Sequence, residues 1–242
     1  MRSPDKEDGE LRRFTPRRLP IENEDYRSIL TTPGVMAYLV INPTKGKFGW
    51  TKDLVRGKRS AKRHFPNCEG IDRRDNYLYV VCKARKEMFI LNLDDRTYVK
   101  SSTVSGALGG QPDQIVRLTD HDHPLLYFTE DGELNLPFFL FITVHPKQAD
   151  HNSFSLHFCC CHCESGGKPA GIHARDRDGN YLTVVEAINF GGSPETTGLA
   201  FSPDDMHMYF AVQDDGVLFD ITRTDGRPFD ANTLAIKYHQ LN

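Results

Sequence analysis

Residues 68–83 read CEGIDRRDNYLYVVCK, and this pattern decides the fold. A short strand-like run meets a polar turn containing Asp, and a second strand follows in which Tyr79 leads into apolar residues. The same order returns twice, in PDQIVRLTDHDHPLLYFTED (112–131) with Tyr127 and in TTGLAFSPDDMHMYFAVQ (196–213) with Tyr209. Further β-like sequence follows the units, such as EMFILNL (87–93) and GVLFDI (216–221). Each unit therefore holds about four strands, the size of one β-propeller blade at roughly 40–50 residues. The fold expected is all-β: a partial β-propeller of about three to three and a half blades over 34–242, preceded by a polar N-terminal arm over 1–33.

The spacing of the units isolates one anomalous stretch. Glu69, Asp113 and Thr197 hold equivalent places, separated by 44 and then 84 residues. Removing the 34 residues 133–166 shortens the second interval to 50 and joins TEDG (129–132) to GKPAGIHARDRDGNYLTVVE, which supplies outer strands to the second unit. That stretch, ELNLPFFLFITVHPKQADHNSFSLHFCCCHCESG, carries four charged residues, against 59 in the other 208. It also holds four of the six cysteines: Cys159, Cys160, Cys161 and Cys163. One reading is a metal site using these cysteines with His157 and His162, but structural zinc ligands come in pairs spaced so that the chain can turn around a tetrahedron. A second is a disulfide or redox loop, which adjacent cysteines serve poorly because of disulfide geometry. The third, a translated intron, is preferred: pyrimidine-rich sequence encodes runs of Phe and Cys.

Elsewhere the composition is that of an ordinary globular chain. Lys and Arg total 30 and Asp and Glu 33, for a formal net charge of −3, which argues against a globally basic nucleic-acid binder. No apolar run reaches the roughly 18 residues of a membrane-spanning helix. The start, MRSPDKEDGELRRF, lacks the apolar core of a signal peptide, and the cellular compartment stays open. The best helix candidate is about 51–62. The basic run Lys45, Lys47, Lys52, Arg56, Lys58, Arg59, Lys62 and Arg63 reads as a solvated face.

Candidate chemistry sits on the inner strands, which line the central channel of a propeller. Glu69 and Asp113 match on successive units, and Glu195 lies two residues before the third equivalent place, on the same side of a strand. Three carboxylates converging on one axis repel unless a cation lies between them, and hard oxygen donors suit calcium or magnesium. Glu130 ends the second strand of its blade and is a weaker ligand candidate. Lys83 and Gln213 end the corresponding strands. His173-Ala174-Arg175-Asp176 offers an acid–base or phosphate-binding set, since Arg suits phosphate geometry, but its outer-strand position favours a blade-surface salt bridge.

The order NCEGID (67–72), GQPDQI (110–115) and PETTGLAFSPDDMHMYFAVQ (194–213) resembles the C-terminal half of PhoX-type alkaline phosphatases and their uncharacterised homologues. The resemblance covers roughly 35–240. It implies a β-propeller with calcium and iron at the channel that cleaves phosphate esters. Glu69, Asp113 and Glu195 would be metal ligands, and Gln213 would be the glutamine closing the last motif. Asp214-Asp215-Gly216 stands where the family has His-Pro-Gly. The expected function is a metal-dependent phosphoester hydrolase acting on a small phosphorylated substrate, with Gln213 and Arg175 as substrate contacts. The alternatives are a non-catalytic propeller binding calcium or a protein, and a hydrolase of another ester such as a lactone. Further blades or a partner would be needed to close the propeller.

Overall fold

The computed structural model describes residues 10–18, 31–103, 111–118, 125–130, 143–144, 156–157, 170–176, 178–188, 195–213 and 216–229. The chain is a partial β-propeller built from antiparallel units. The first repeat is a four-stranded meander of β4 (Cys68–Arg74), β5 (Tyr77–Cys82), β6 (Glu87–Asn92) and β7 (Thr97–Ser102). The second is β8 (Pro112–Arg117), β9 (Leu126–Glu130), β12 (Ala170–Arg175) and β13 (Tyr181–Ile188), and the third is β14 (Thr196–Phe201), β15 (His207–Val212) and β16 (Val217–Thr222). Between β9 and β12, the short β10 (Thr143–Val144) and β11 (Leu156–His157) pair only with each other, while β9 pairs directly with β12. The cysteines Cys159, Cys160, Cys161 and Cys163 lie outside the described residues, as does the rest of 133–166 apart from β10 and β11.

Ahead of the repeats stand β1 (Arg12–Pro16), β2 (Gly34–Asn42) and β3 (Lys47–Thr51), and β3 joins the edge of β7 through Lys47 and Thr97. The polar arm therefore contributes a strand. Its apolar Leu11 is buried against the core, and the Leu11 carbonyl accepts from the Leu39 N–H at 3.0 Å. The one described α-helix, α1 (Leu54–His64), overlaps the expected segment. Asp53 caps it by accepting from the Arg56 N–H at 3.1 Å. Its small residues Gly57, Ser60 and Ala61 are buried, and α1 packs on β2, where Ser60 Oγ accepts from the Ile41 N–H at 2.9 Å.

Strand periodicity explains how the units stack. In β5, Val80 and Cys82 enter one core with Leu39, Ile41 and Phe48, while Tyr79 and Val81 enter another with Ile115, Leu126 and Phe128 of the next unit. In β9, Leu126 and Phe128 face the first repeat, and Tyr127 faces the third, with Met208, Phe210 and Val212. Successive side chains of a strand point to opposite faces, so a blade buried on both sides needs a continuous apolar run rather than an alternating one. That is why YLYVVC and LLYF read as they do.

The inner strands lie side by side, β4 against β8 and β8 against β14. Gly70 permits the first approach: a Cβ there would meet the Asp113 carbonyl at 2.5 Å, Val81 Cγ2 at 2.6 Å and the Ile115 nitrogen at 3.0 Å. Two of those atoms are backbone and cannot turn aside. Gly70→Ala is expected to force β4 from β8, cost about 1–3 kcal/mol as overpacking does, and lower the melting temperature. An unchanged melt would show that the two strands separate freely.

In the turn after β16, Arg223 Nε donates to Asp225 Oδ1 at 2.9 Å and Arg223 Nη2 donates to Oδ2. The Arg223 hydrogen bonds, with one from the Arg227 N–H, hold the Asp225 carboxyl down at about 2. A carboxyl depressed by folding stabilises the fold above its ordinary value of 3.8, and that stabilisation is lost as pH falls towards 2. Carboxyl NMR should find Asp225 titrating near the bottom of that window and Arg223→Gln returning it towards the ordinary range. An Asp225 that titrates normally in the native chain would contradict the pairing.

Candidate functional site

The site forms where three inner strands begin, and each departs there from regular pairing. The β4–β5 register shifts between Cys68 and Ile71, that of β8–β9 between Pro112 and Ile115, and that of β14–β15 between Thr197 and Ala200. Bulges of this kind re-aim side chains beside functional sites. Here they flank Glu69, Asp113 and Glu195. These carboxylates come together, each offering an oxygen within 4.8 Å of the others.

A cation already sits among them. Lys83 follows β5, and its Nζ lies 2.9 Å from Glu69 Oε2, 3.1 Å from Asp113 Oδ1 and 3.5 Å from Glu195 Oε1. The Lys83 and Asp113 side chains are only 8% and 1% exposed, so this is a buried pair whose desolvation must be offset by close geometry. Three carboxylates against one ammonium leave a formal charge of −2. Gln213 stands at the rim, where its Nε2 donates to Glu195 Oε2 at 3.2 Å and its backbone N–H donates to the Glu195 carbonyl at 2.9 Å.

Two other candidates lie elsewhere. Glu130 is not one of the three converging acids: its Oε2 is 2.6 Å from His173 Nε2. His173 is buried rather than on the blade surface, because Gly171 beside it and the small Thr183, whose Oγ1 is 3.2 Å from His173 Nδ1, leave room for the ring inside the sheet. Arg175 is placed three residues further along β12 than the Ile172–Thr129 pair. Its Nη2 donates to Ser101 Oγ at 3.3 Å, and its guanidinium lies 5.9 Å from the centre of the Tyr181 ring. It joins the outer parts of two units and is not brought to the acids.

The sequence reading missed a covalent link. Cys68 and Cys82 face each other across β4–β5 and are disulfide-bonded. Their near-equal distance from the Asp75-Asn76 turn was the available signal. The bond sits one residue from both Glu69 and Lys83, and the Lys83 N–H donates to the Asn67 carbonyl at 2.9 Å, so the hairpin ends holding acid and ammonium are fixed together.

The donor set fits calcium. The three oxygens lie within 4.8 Å of one another, near enough for one ion to draw them together, the donors are the hard oxygens that calcium takes, and the ammonium stands in for a cation. For the iron that the resemblance implies, Cys68 and Cys82 offer no thiolate, because they are bonded to each other.

Fold and site together define a β-propeller with an acidic, lysine-filled cluster at the start of its inner strands. No protein-family model matches the chain, and no curated protein matches it. Among solved structures it is similar to a calcium-binding protein, regucalcin, from Agrobacterium tumefaciens strain C58, at 13% identity and a TM-score of 0.30. That match covers 67% of this chain and 56% of the other, so the chain spans little more than half of its length. A likeness at this TM-score assigns nothing further to this chain.

Proposed function

We propose that this chain is a non-catalytic β-propeller module that binds calcium through Glu69, Asp113 and Glu195. The observation that carries the reading is the convergence of these carboxylates from three successive units to within 4.8 Å. Bound calcium would cross-link the units at their inner strands. Of the described imidazole–carboxylate pairs, His173 with Glu130 is 3% and 1% exposed, a poor position for touching a substrate. The other, His207 with Asp220, is exposed but stands at the opposite end of β15 from Gln213. Neither pair brings acid–base chemistry to the acidic cluster, which favours binding there.

Calorimetric titration of chelator-treated protein with calcium chloride is expected to reveal one site and a calcium-dependent rise in melting temperature. Glu195→Gln should weaken binding at least tenfold. The absence of both binding heat and thermal stabilisation on adding calcium would overturn the reading. Calcium-dependent turnover of p-nitrophenyl phosphate would replace it with the phosphoester hydrolase that the sequence resemblance implies.

A further inference from the structure

We propose that the Lys83 ammonium is the resident counter-cation of the acidic cluster and the group that an entering divalent cation must displace, which makes Lys83 the residue that sets the site's affinity. The inference rests on the calcium-binding reading above. Lys83 Nζ is within 3.5 Å of an oxygen of all three acids, which places it in the volume that a shared cation would occupy. An ammonium and a calcium ion cannot share that volume, because both carry positive charge and both draw on the same oxygens. The three-unit repeat isolates Lys83 further. The matching strand ends carry Glu130 and Gln213, so among these three strand ends the positive side chain belongs to the first unit.

The flexible four-carbon stem of lysine gives displacement a route. The Lys83 backbone is held through its N–H to Asn67 and by the adjacent disulfide at Cys82, while the ammonium ends a chain of rotatable bonds. Calcium entry is then an exchange of cations. The −2 left by three carboxylates and one ammonium becomes −3 when the ammonium leaves, and the incoming double charge meets a stronger field than the ammonium did.

The test compares wild type with Lys83→Met, which keeps the stem and removes the charge. Calorimetry with calcium chloride should find the variant binding at least tenfold more tightly. Its melting temperature should fall in chelator and recover in calcium by more than the wild type gains. If wild type binds calcium and Lys83→Met binds it no more tightly, the exchange is overturned and the calcium-binding reading stands. If neither binds, the calcium reading falls, and the exchange falls with it. Should Lys83→Met fail to fold in chelator, the side-chain resonances of wild-type protein labelled on lysine decide the matter. A Lys83 signal that shifts as calcium is added supports displacement, and one that stays fixed while calcium binds overturns it.

Discussion

Phe210→Ala is expected to lower stability by about 3–5 kcal/mol, the range for deleting a buried aromatic side chain, and to loosen the third unit before the other two. Phe210 is 1% exposed and sits in the core shared by β15 with Tyr127, Ile172 and Val185 of the second unit. Its ring stacks on Phe219 with centroids 5.0 Å apart, so the substitution removes a ring contact as well as apolar burial. Other described ties span these units: Tyr127 Oη donates to the Phe229 carbonyl at 3.0 Å, the Tyr127 and Phe201 rings lie 4.8 Å apart, and Thr196 Oγ1 accepts from the Glu130 N–H at 3.1 Å and lies 2.8 Å from the Glu130 carbonyl and 3.0 Å from that of Gly171. Hydrogen exchange should show amides of β14 to β16 losing protection in Phe210→Ala while those of β5 and β6 keep it. A uniform loss would mean that the units unfold as one body.

That core also shows what the sequence made legible. The run LLYF could be assigned to a strand buried on both faces because its periodicity is local, and the repeat of Tyr79, Tyr127 and Tyr209 placed the second strand of each unit. The convergence of Glu69, Asp113 and Glu195 followed from the same register. Three things were hidden because they depend on groups distant in the chain. The partner of Glu130 is His173, 43 residues away across a sheet whose third strand in chain order, β12, comes after residues 133–166. Arg12–Pro16 looked like solvated arm because a strand at a sheet edge can be polar on both faces, and only its pairing with Gly34–Tyr38 reveals it. Lys83 read as a strand-end charge because no local pattern says that a side chain points down a shared axis.

Opening the Cys68–Cys82 disulfide should weaken both the fold and the site. The bond closes a separation of 14 residues, for which loop-closure entropy in the unfolded chain gives about 3 kcal/mol. The double variant Cys68→Ala, Cys82→Ala is the better probe than serine, since both positions are fully buried in the core with Phe65, Val80 and Phe89, where a hydroxyl would need a partner. Its melting temperature should fall by several degrees, as should that of wild type held in excess dithiol at a temperature where local opening admits it. The consequence for calcium follows from position. Glu69 and Lys83 each neighbour a bridged cysteine, and Cys68 is paired with Cys82 where the β4 bulge begins. Without the bond that bulge can shift, and Glu69 is no longer held within 4.8 Å of the other two acids. Calcium affinity should therefore drop in the double variant even at temperatures where it remains folded. Equal melting and equal affinity with and without the bond would mean that backbone pairing alone sets the hairpin. A lower melt with unchanged affinity would confine the disulfide to stability and separate it from the acids.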